Sequence, residues 1–309
     1  MFKTLLKTVI ALSTVLWIGG CESSQKPQTY TIGTNNWPGY EPLHLAEERG
    51  YFQKPVMVNT YKSATEVLNL FRTGKLHLAA ITLDEAVMLR DQGYEPVVIA
   101  ILDISDGADV IMAGPGIKTL ADLRGKTIGV ENSALGSYIL ARALEIGGLT
   151  LQDVNVFPVG HNRHEEVFTK NVVDAVITFE PVRSALVKKG ANEIFTSKEM
   201  PGEIVDVLVI KRGYFEQTII DDLLQGWSRS TSAINDREAD AVKRTAQRLQ
   251  QTPGEFIASL DGLKIPTLDE SNMMLTDGTM EKTLEKIQKV MLEKGLIKEE
   301  FDVKTMLKR

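Results

Sequence analysis

Between residues 30 and 195, short apolar runs alternate with amphipathic stretches, the signature of buried strands and helices layered on a parallel sheet. Two of the runs recur. Thr31-Ile32-Gly33 returns as Thr127-Ile128-Gly129, and Ala79-Ala80-Ile81-Thr82 returns as Ala175-Val176-Ile177-Thr178, both at an offset of 96 residues. Two matches in one register predict two lobes built alike. Ser63 with Glu66, Thr82 with Glu85 and Asn162 with Glu165 have the spacing in which a cap and a returning carboxylate satisfy the free amides of a helix start. Gly50, Gly74, Gly93 and Gly190 stand where those helices should stop. Residues 204–210 form a further apolar strand, and beyond Asp221 the chain reads as charged helices, ending in an amphipathic stretch over 279–294 that needs a sheet to pack on. The expectation is an α/β protein of two lobes, the first from residues 28–107 plus 206–309 and the second from 108–205. Crossings near 104–108 and 205–209 would act as a two-strand hinge, with a ligand cleft between the lobes.

The first 20 residues change this picture only at the start. Lys3 and Lys7 precede an apolar run over 9–18 that is too short to span a bilayer. The run ends in Ile18-Gly19-Gly20-Cys21, which resembles the lipobox of bacterial lipoproteins, although alanine or serine is commoner than Gly19 there. The other reading is a plain signal peptide with an incidental cysteine. Lipidation of Cys21 would leave 21–27 as a polar tether and hold the protein outside the cytoplasm on a membrane, periplasmic or at the cell surface. Cys21 is the only cysteine, so no intrachain disulfide, thiolate metal cluster or redox pair can form. Residues 1–20 carry two lysines and no acid, so the remaining 289 residues hold 33 basic and 41 acidic side chains, a net charge of −8. That charge argues against nucleic acid as a partner. A body of this length, with 43% hydrophobic residues in the whole chain, can fill two cores.

Ligands of open parallel sheets sit beyond the carboxyl ends of the strands, where loops lead into helix N-termini. The repeat therefore nominates Asn35, Asn36 and Trp37 against Glu131, Asn132 and Ser133, and Thr82 and Asp84 against Thr178, Phe179 and Glu180. Trp37, followed by Pro38-Gly39-Tyr40, lies in a turn, where it either stacks on a planar or methylene-bearing ligand or closes one end of the core. Ser133 and Ser137 flank a glycine at a helix start, suited to an anionic group or simply to capping. Asp103, Ser105, Asp106 and Asp109 crowd the expected crossing, facing the ligand and the hinge or serving as solvated turn residues. Glu180 opens a helix after a buried strand, as a ligand acceptor or as a structural N-terminal carboxylate. His161 and His164 could share a helix face, but no third histidine is placed to complete a metal site, so no metal is expected. Leu120 stands where a phosphate-binding loop ending at Gly125-Lys126-Thr127 would need glycine, and no nucleophile-elbow, zinc-protease or dinucleotide motif occurs.

At Trp37-Pro38-Gly39-Tyr40-Glu41-Pro42 and Ala46-Glu47-Glu48-Arg49-Gly50-Tyr51-Phe52, the sequence resembles the nitrate, sulfonate, taurine and thiamine-precursor binding proteins of ABC importers. The resemblance continues in Ser105-Asp106-Gly107-Ala108-Asp109, in residues 120–131 and in Asp174-Ala175-Val176-Ile177-Thr178-Phe179-Glu180-Pro181. It implies a type 2 periplasmic-binding fold and a monomer that traps one small molecule without a cofactor or chemistry. It would then dock on an ABC permease or, in the alternative, on a membrane sensor protein. Enzymes related to this family are similar to proteins with a cysteine-rich iron-binding motif, which one cysteine cannot supply. The ligand-site residues are expected to be Asn36, Trp37, Tyr40, Thr82, Asp84, Asp103, Ser105, Asp106, Asn132, Ser133, Ser137 and Glu180. So many carboxylates favour a ligand carrying an amine or N-heterocycle, thiamine-precursor-like and with or without an acidic end, over a simple inorganic anion, with a sulfonate as the other ligand class.

Overall fold

In the computed structural model, which describes residues 29–308, the apolar runs become two sheets. β1 (Tyr30–Thr34), β2 (Val56–Thr60), β3 (Leu78–Thr82), β4 (Pro96–Ser105), β10 (Val205–Lys211) and β11 (Leu263–Lys264) form one, in the order β11-β4-β10-β3-β1-β2. β5 (Val110–Ala113), β6 (Thr127–Val130), β7 (Asn155–Pro158), β8 (Ala175–Thr178) and β9 (Asn192–Thr196) form the other, in the order β7-β6-β8-β5-β9. The repeated sequence occupies equivalent strands. β1 lies parallel between β2 and β3, β6 lies parallel between β7 and β8, and β3 and β8 each meet an antiparallel strand on the far side. The lobes are thus two copies of one α/β plan, the fold class expected from the alternation.

Helices α1 (Glu41–Glu48), α2 (Ala64–Arg72), α3 (Leu83–Asp91), α4 (Ala134–Ile146), α5 (His164–Thr169) and α6 (Val182–Lys188) follow the strands. Ser63 Oγ accepts from the Glu66 amide at 3.2 Å, and Thr82 and Glu85 make a reciprocal cap. The Asn162–Glu165 cap does not form. A 3-10 turn over His161–Arg163 precedes α5 and carries His161 inward to stack on Phe179, leaving Arg163 as the N-cap without a side-chain bond. Gly93 ends α3 at φ 85°, a left-handed conformation that a side chain would strain.

The remaining helices are α7 (Gln217–Asn235), α8 (Ala239–Arg248), α9 (Pro253–Leu260), α10 (Leu268–Thr276) and α11 (Thr279–Glu293). They return to the six-stranded sheet, as the amphipathic stretch over 279–294 requires. Leu284, Ile287 and Met291 of α11 join the core around α3, while Trp227 of α7 is fully buried beside Ile99, Leu102 and Leu208. Among the described residues, no helix is long and apolar enough to cross a membrane. The proposed signal segment, Cys21 and the tether lie outside the described residues.

The chain passes between the sheets at 106–109 and again at 197–204, and the two passages are bonded to each other. The Ser105 amide donates to Ile204 O at 3.0 Å, and the Ser197 amide donates to Asp109 O at 2.9 Å. Ser197 Oγ lies 2.8 Å from Ser105 Oγ and accepts from the Gly107 amide at 2.6 Å. Ser197→Ala would leave the buried Gly107 amide without its partner and take one of the partners of Ser105 Oγ, which keeps the Asp109 amide. The expected cost is about 1–3 kcal/mol in urea unfolding; an unchanged midpoint would mean the two passages are not held by this serine.

Candidate functional site

Each sheet ends in a loop that points at the other lobe, because equivalent strands run to the same edge. After β1 come Asn35, Trp37 and the 3-10 turn Pro38–Tyr40; Thr82 closes β3; Glu131 and Ser133 follow β6; Phe179 follows β8. These residues line one cleft at the carboxyl ends of the strands of both lobes, with Ala64, Glu85, Asp109, Leu135 and Asp206 completing the wall. The lobes touch across it. Trp37 meets Phe179 edge to face at 5.1 Å, Thr65 Oγ1 donates to Asn132 O at 3.0 Å, and the Ala64 amide at the start of α2 bonds the Glu131 carboxylate. The enclosed space is about 20 Å³, room for about one water molecule.

Acidity dominates this cleft. Asp103 on β4 is the ladder partner of Asp206 on β10, and Asp206 is in turn the partner of Thr82 on β3. Directly opposed like charges destabilise a sheet; two unit charges 4 Å apart at an effective dielectric of 20 repel by about 4 kcal/mol. The ladder shifts register between Asp206 and Val207, and such irregularities re-aim side chains. The aromatic turn supplies the donors. Trp37 Nε1 donates to Asp103 Oδ2 at 3.1 Å, and the Tyr40 hydroxyl donates to Asp206 Oδ1. Gly39 makes this seat possible: a Cβ there would collide with Asp103 Oδ2 and stand 2.7 Å from Trp37 Nε1.

Burial pushes Asp84 and Asp103 up to about 8, Glu85 and Glu131 to about 7, and Asp109 to about 6. Asp206 goes well above the carboxylate range, through burial and then the neighbouring Asp103. Among the described residues, Glu85 Oε1, Asp103 Oδ1, Asp109 Oδ2 and Glu131 Oε1 have no hydrogen-bond partner. Among the described residues, no lysine, arginine or histidine lines the cleft. Arg72 acts on Glu85 from behind, in α2.

Of the nominated residues, Trp37, Tyr40, Thr82 and Ser133 line the cleft, and Asp84 and Asp103 are buried behind its wall. Six stand elsewhere. Asn36 is half-buried beside the lining residue Asn35, one position away. Ser105 is committed to the lobe passage through Ser197, and Asp106 pairs with Lys264 at 2.7 Å outside the cleft. The Asn132 side chain is exposed, and Ser137 Oγ bonds back to Ser133 O at 3.0 Å on the flank of α4. Glu180 is buried, yet its carboxylate accepts from the Ser184 amide and hydroxyl at 3.2 and 2.9 Å, so its own helix provides the partner expected of a ligand.

Glu85, Asp109, Glu131 and Asp206 are the lining carboxyl groups; the repeat points to Glu131 and the crossing to Asp109, whereas Glu85 and Asp206 have no place among the nominated residues. Asp206 had a signal in sequence, a lone acid inside the apolar run 204–210. Glu85 was concealed by its capping role, which uses one oxygen and leaves the other free. Burial lowers His161 to about 3 and His164 to about 4, keeping both neutral; His161 stacks on Phe179 at 3.8 Å. Among the described residues, no group of three His, Cys, Asp or Glu side chains converges as a metal site would require.

A model of the NMT1-like family matches residues 23–250. A Brucella abortus (strain 2308) protein named "Putative binding protein" is 24% identical over 168 residues, covering 52% of this chain and 49% of its own. The chain thus spans about half the length of that relative. The alkanesulfonate-binding protein SsuA from Xanthomonas axonopodis pv. citri, solved bound to MOPS, superposes with a TM-score of 0.78 at 16% identity, over 92% of this chain and 99% of that one. A desulfurization enzyme superposes with a TM-score of 0.63 at 15% identity, over 88% and 94% of the two chains. At these identities the structures share the periplasmic-binding-protein fold.

The raised carboxyl groups make stability depend on pH with a definite sign. The native state keeps protons that the unfolded chain gives up near pH 4, so this stabilisation is lost as pH rises through the native values. The buried histidines act oppositely, but only below their ordinary 6.5. Between pH 6.5 and 8 the carboxyl groups therefore decide the slope. The urea midpoint of the ligand-free protein should fall across that window, and Asp206→Asn should flatten the fall. A level profile would mean the cleft acids ionise normally.

Proposed function

The chain belongs to the NMT1-like family, and on that footing we propose that it is an extracytoplasmic solute-binding lipoprotein, anchored through Cys21, that delivers a small polar ligand to an ABC importer. The ligand carries an amine or N-heterocycle. The observation that carries this reading is the cleft wall itself: four carboxyl groups, Glu85, Asp109, Glu131 and Asp206, face it with no basic side chain beside them. A sulfonate in that space would find no cationic side chain on the wall, and its charge would hold the acids protonated, whereas cationic N–H groups would meet acceptors that now lack donors.

Closure supplies the delivery step. A ligand shifts the open and closed populations only through contacts it makes better in one of them. Here the wall is split between lobes, so a bound molecule, for which the lobes must part beyond the present one-water space, gains its full set of contacts only when both lobes close on it. No step of chemistry is proposed. Of the hydroxyls on the wall, Ser133 Oγ accepts from the Gly136 amide at 3.1 Å as a helix cap, and the Tyr40 hydroxyl donates to Asp206.

Calorimetric titration of the purified chain against amines, aminopyrimidines, amino acids and sulfonates tests the reading. One saturable site for a nitrogenous ligand, without product formation on long incubation, is expected. Trp37→Ala should weaken that binding at least tenfold, about 1.4 kcal/mol, whereas Glu180→Gln should leave it within about threefold, about 0.7 kcal/mol. Turnover of a bound compound, or saturable binding by sulfonates alone, would overturn the assignment.

A further inference from the structure

The unsatisfied atoms on the cleft wall describe the missing half of an interaction. Asn35 Oδ1 and Glu85 Oε1 on the six-stranded lobe, and Asp109 Oδ2 and Glu131 Oε1 on the other, have no partner. Glu85 is 1% exposed and Asp109 2%, so neither oxygen can turn to bulk water. Four acceptors distributed over two lobes exceed what one ammonium group offers, which is three donors carrying a single charge. Trp37 and Phe179, one from each lobe, border the same space, and once the lobes part to widen it their faces suit an apolar spacer or a flat cationic group. A metal ion is a poor match, because no set of three ligating side chains converges among the described residues.

Resting on the receptor reading above, we infer that the ligand is an organic dication, two amine, amidine or guanidine groups joined by a short apolar spacer. Glu85 holds one end, Asp109 and Glu131 hold the other, and the ligand enters in exchange for protons on the cleft carboxyl groups.

The exchange follows from what faces these acids on every side. On the six-stranded lobe, Asp84 and Glu85 of α3 meet Asp103 of β4, Asp206 of β10 and the neutral Tyr40 hydroxyl. From the other lobe, Asp109 and Glu131 approach, and the Tyr138 phenol of α4 lies within electrostatic reach of Asp84 while donating to Glu203 at 2.8 Å. Arg72 acts on Glu85 from behind, and Arg142 acts on the Tyr138 phenol. All these carboxyl groups are held above their ordinary range by burial, so in the ligand-free protein near neutral pH they share protons. A bound dication replaces those protons as counter-charge. For each positive charge taken up, as many as one proton leaves a carboxyl group for the buffer, and no covalent bond changes.

Titrate the purified full chain with putrescine, cadaverine and agmatine, and with butylamine, an aminopyrimidine and taurine, at several pH values and in buffers of different ionisation enthalpy. At least one of the three dications should bind tenfold or more tighter than butylamine. Its affinity should rise about threefold or more per pH unit from about pH 6 to 8, with proton release visible in the buffer dependence. Asp109→Asn and Glu85→Gln should each weaken it at least tenfold, with thermal unfolding recorded to show that the variants fold. Equal binding of butylamine, saturable binding by the aminopyrimidine alone, or affinity independent of pH would overturn the dication and leave the receptor reading standing. Binding by taurine alone, or by none of the six, would overturn the dication, and taurine alone would overturn the nitrogenous receptor as well.

Discussion

Asp103 and Asp206 oppose each other on adjacent strands of a buried sheet, and both cannot be charged without a counter-charge. Much of the cleft is arranged around that constraint. Trp37 and Tyr40 reach down to donate to the two carboxyl groups, which fixes the turn that follows β1. Gly39 leaves room for Asp103 to come up beneath the indole. The register shift in β10 follows Asp206 directly. What reads in sequence as an aromatic platform for a ligand is, on its lower side, a lid on two acids.

The two lobes share the consequences of this arrangement. Glu131 crosses the cleft to cap α2 through the Ala64 amide, and Asn132 accepts from Thr65. The lobes are therefore joined by these polar contacts and by an apolar cluster in which α4 of one lobe packs against α3 of the other, while the Ser105–Ser197 pair joins the passages behind the cleft. On the rim, Lys188 and Glu255 bridge the lobes at 2.8 Å, but both are well exposed, and such pairs contribute about 0–1 kcal/mol. The closed form thus owes little to surface ion pairs. Beside the apolar contact, the state of the interior acids contributes to its free energy, and that makes the lobes responsive to the charge of whatever enters.

The plan of the fold was legible because periodicity and repetition are local. The 96-residue offset marked β1 with β6 and β3 with β8, and the strand order bears out their equivalence. The loops after those strands were legible for the same reason, which is why Trp37, Tyr40, Thr82 and Ser133 were found. The other half of the wall was not. Asp206 comes from a strand that pairs antiparallel with β3 across 124 positions of sequence, and no local pattern reports that pairing. Ser105 and Glu180 were misplaced because a buried polar group can satisfy itself on its own chain, one through Ser197 and the other through Ser184. Composition correctly pointed to acids near the cleft, but only tertiary structure distinguishes Asp109, turned inward, from Asp106, paired outside with Lys264.

The central claim is that several cleft carboxyl groups keep their protons near neutral pH until a cation takes their place. Carboxyl carbon NMR of protein labelled at aspartate and glutamate measures this directly, with Asp103→Asn and Asp206→Asn used for assignment. The account predicts resonances that titrate well above the ordinary carboxylate range in the ligand-free protein and shift to their ionised positions, at constant pH, when the ligand binds. Titration of every carboxyl group near pH 4 in the ligand-free protein would contradict it.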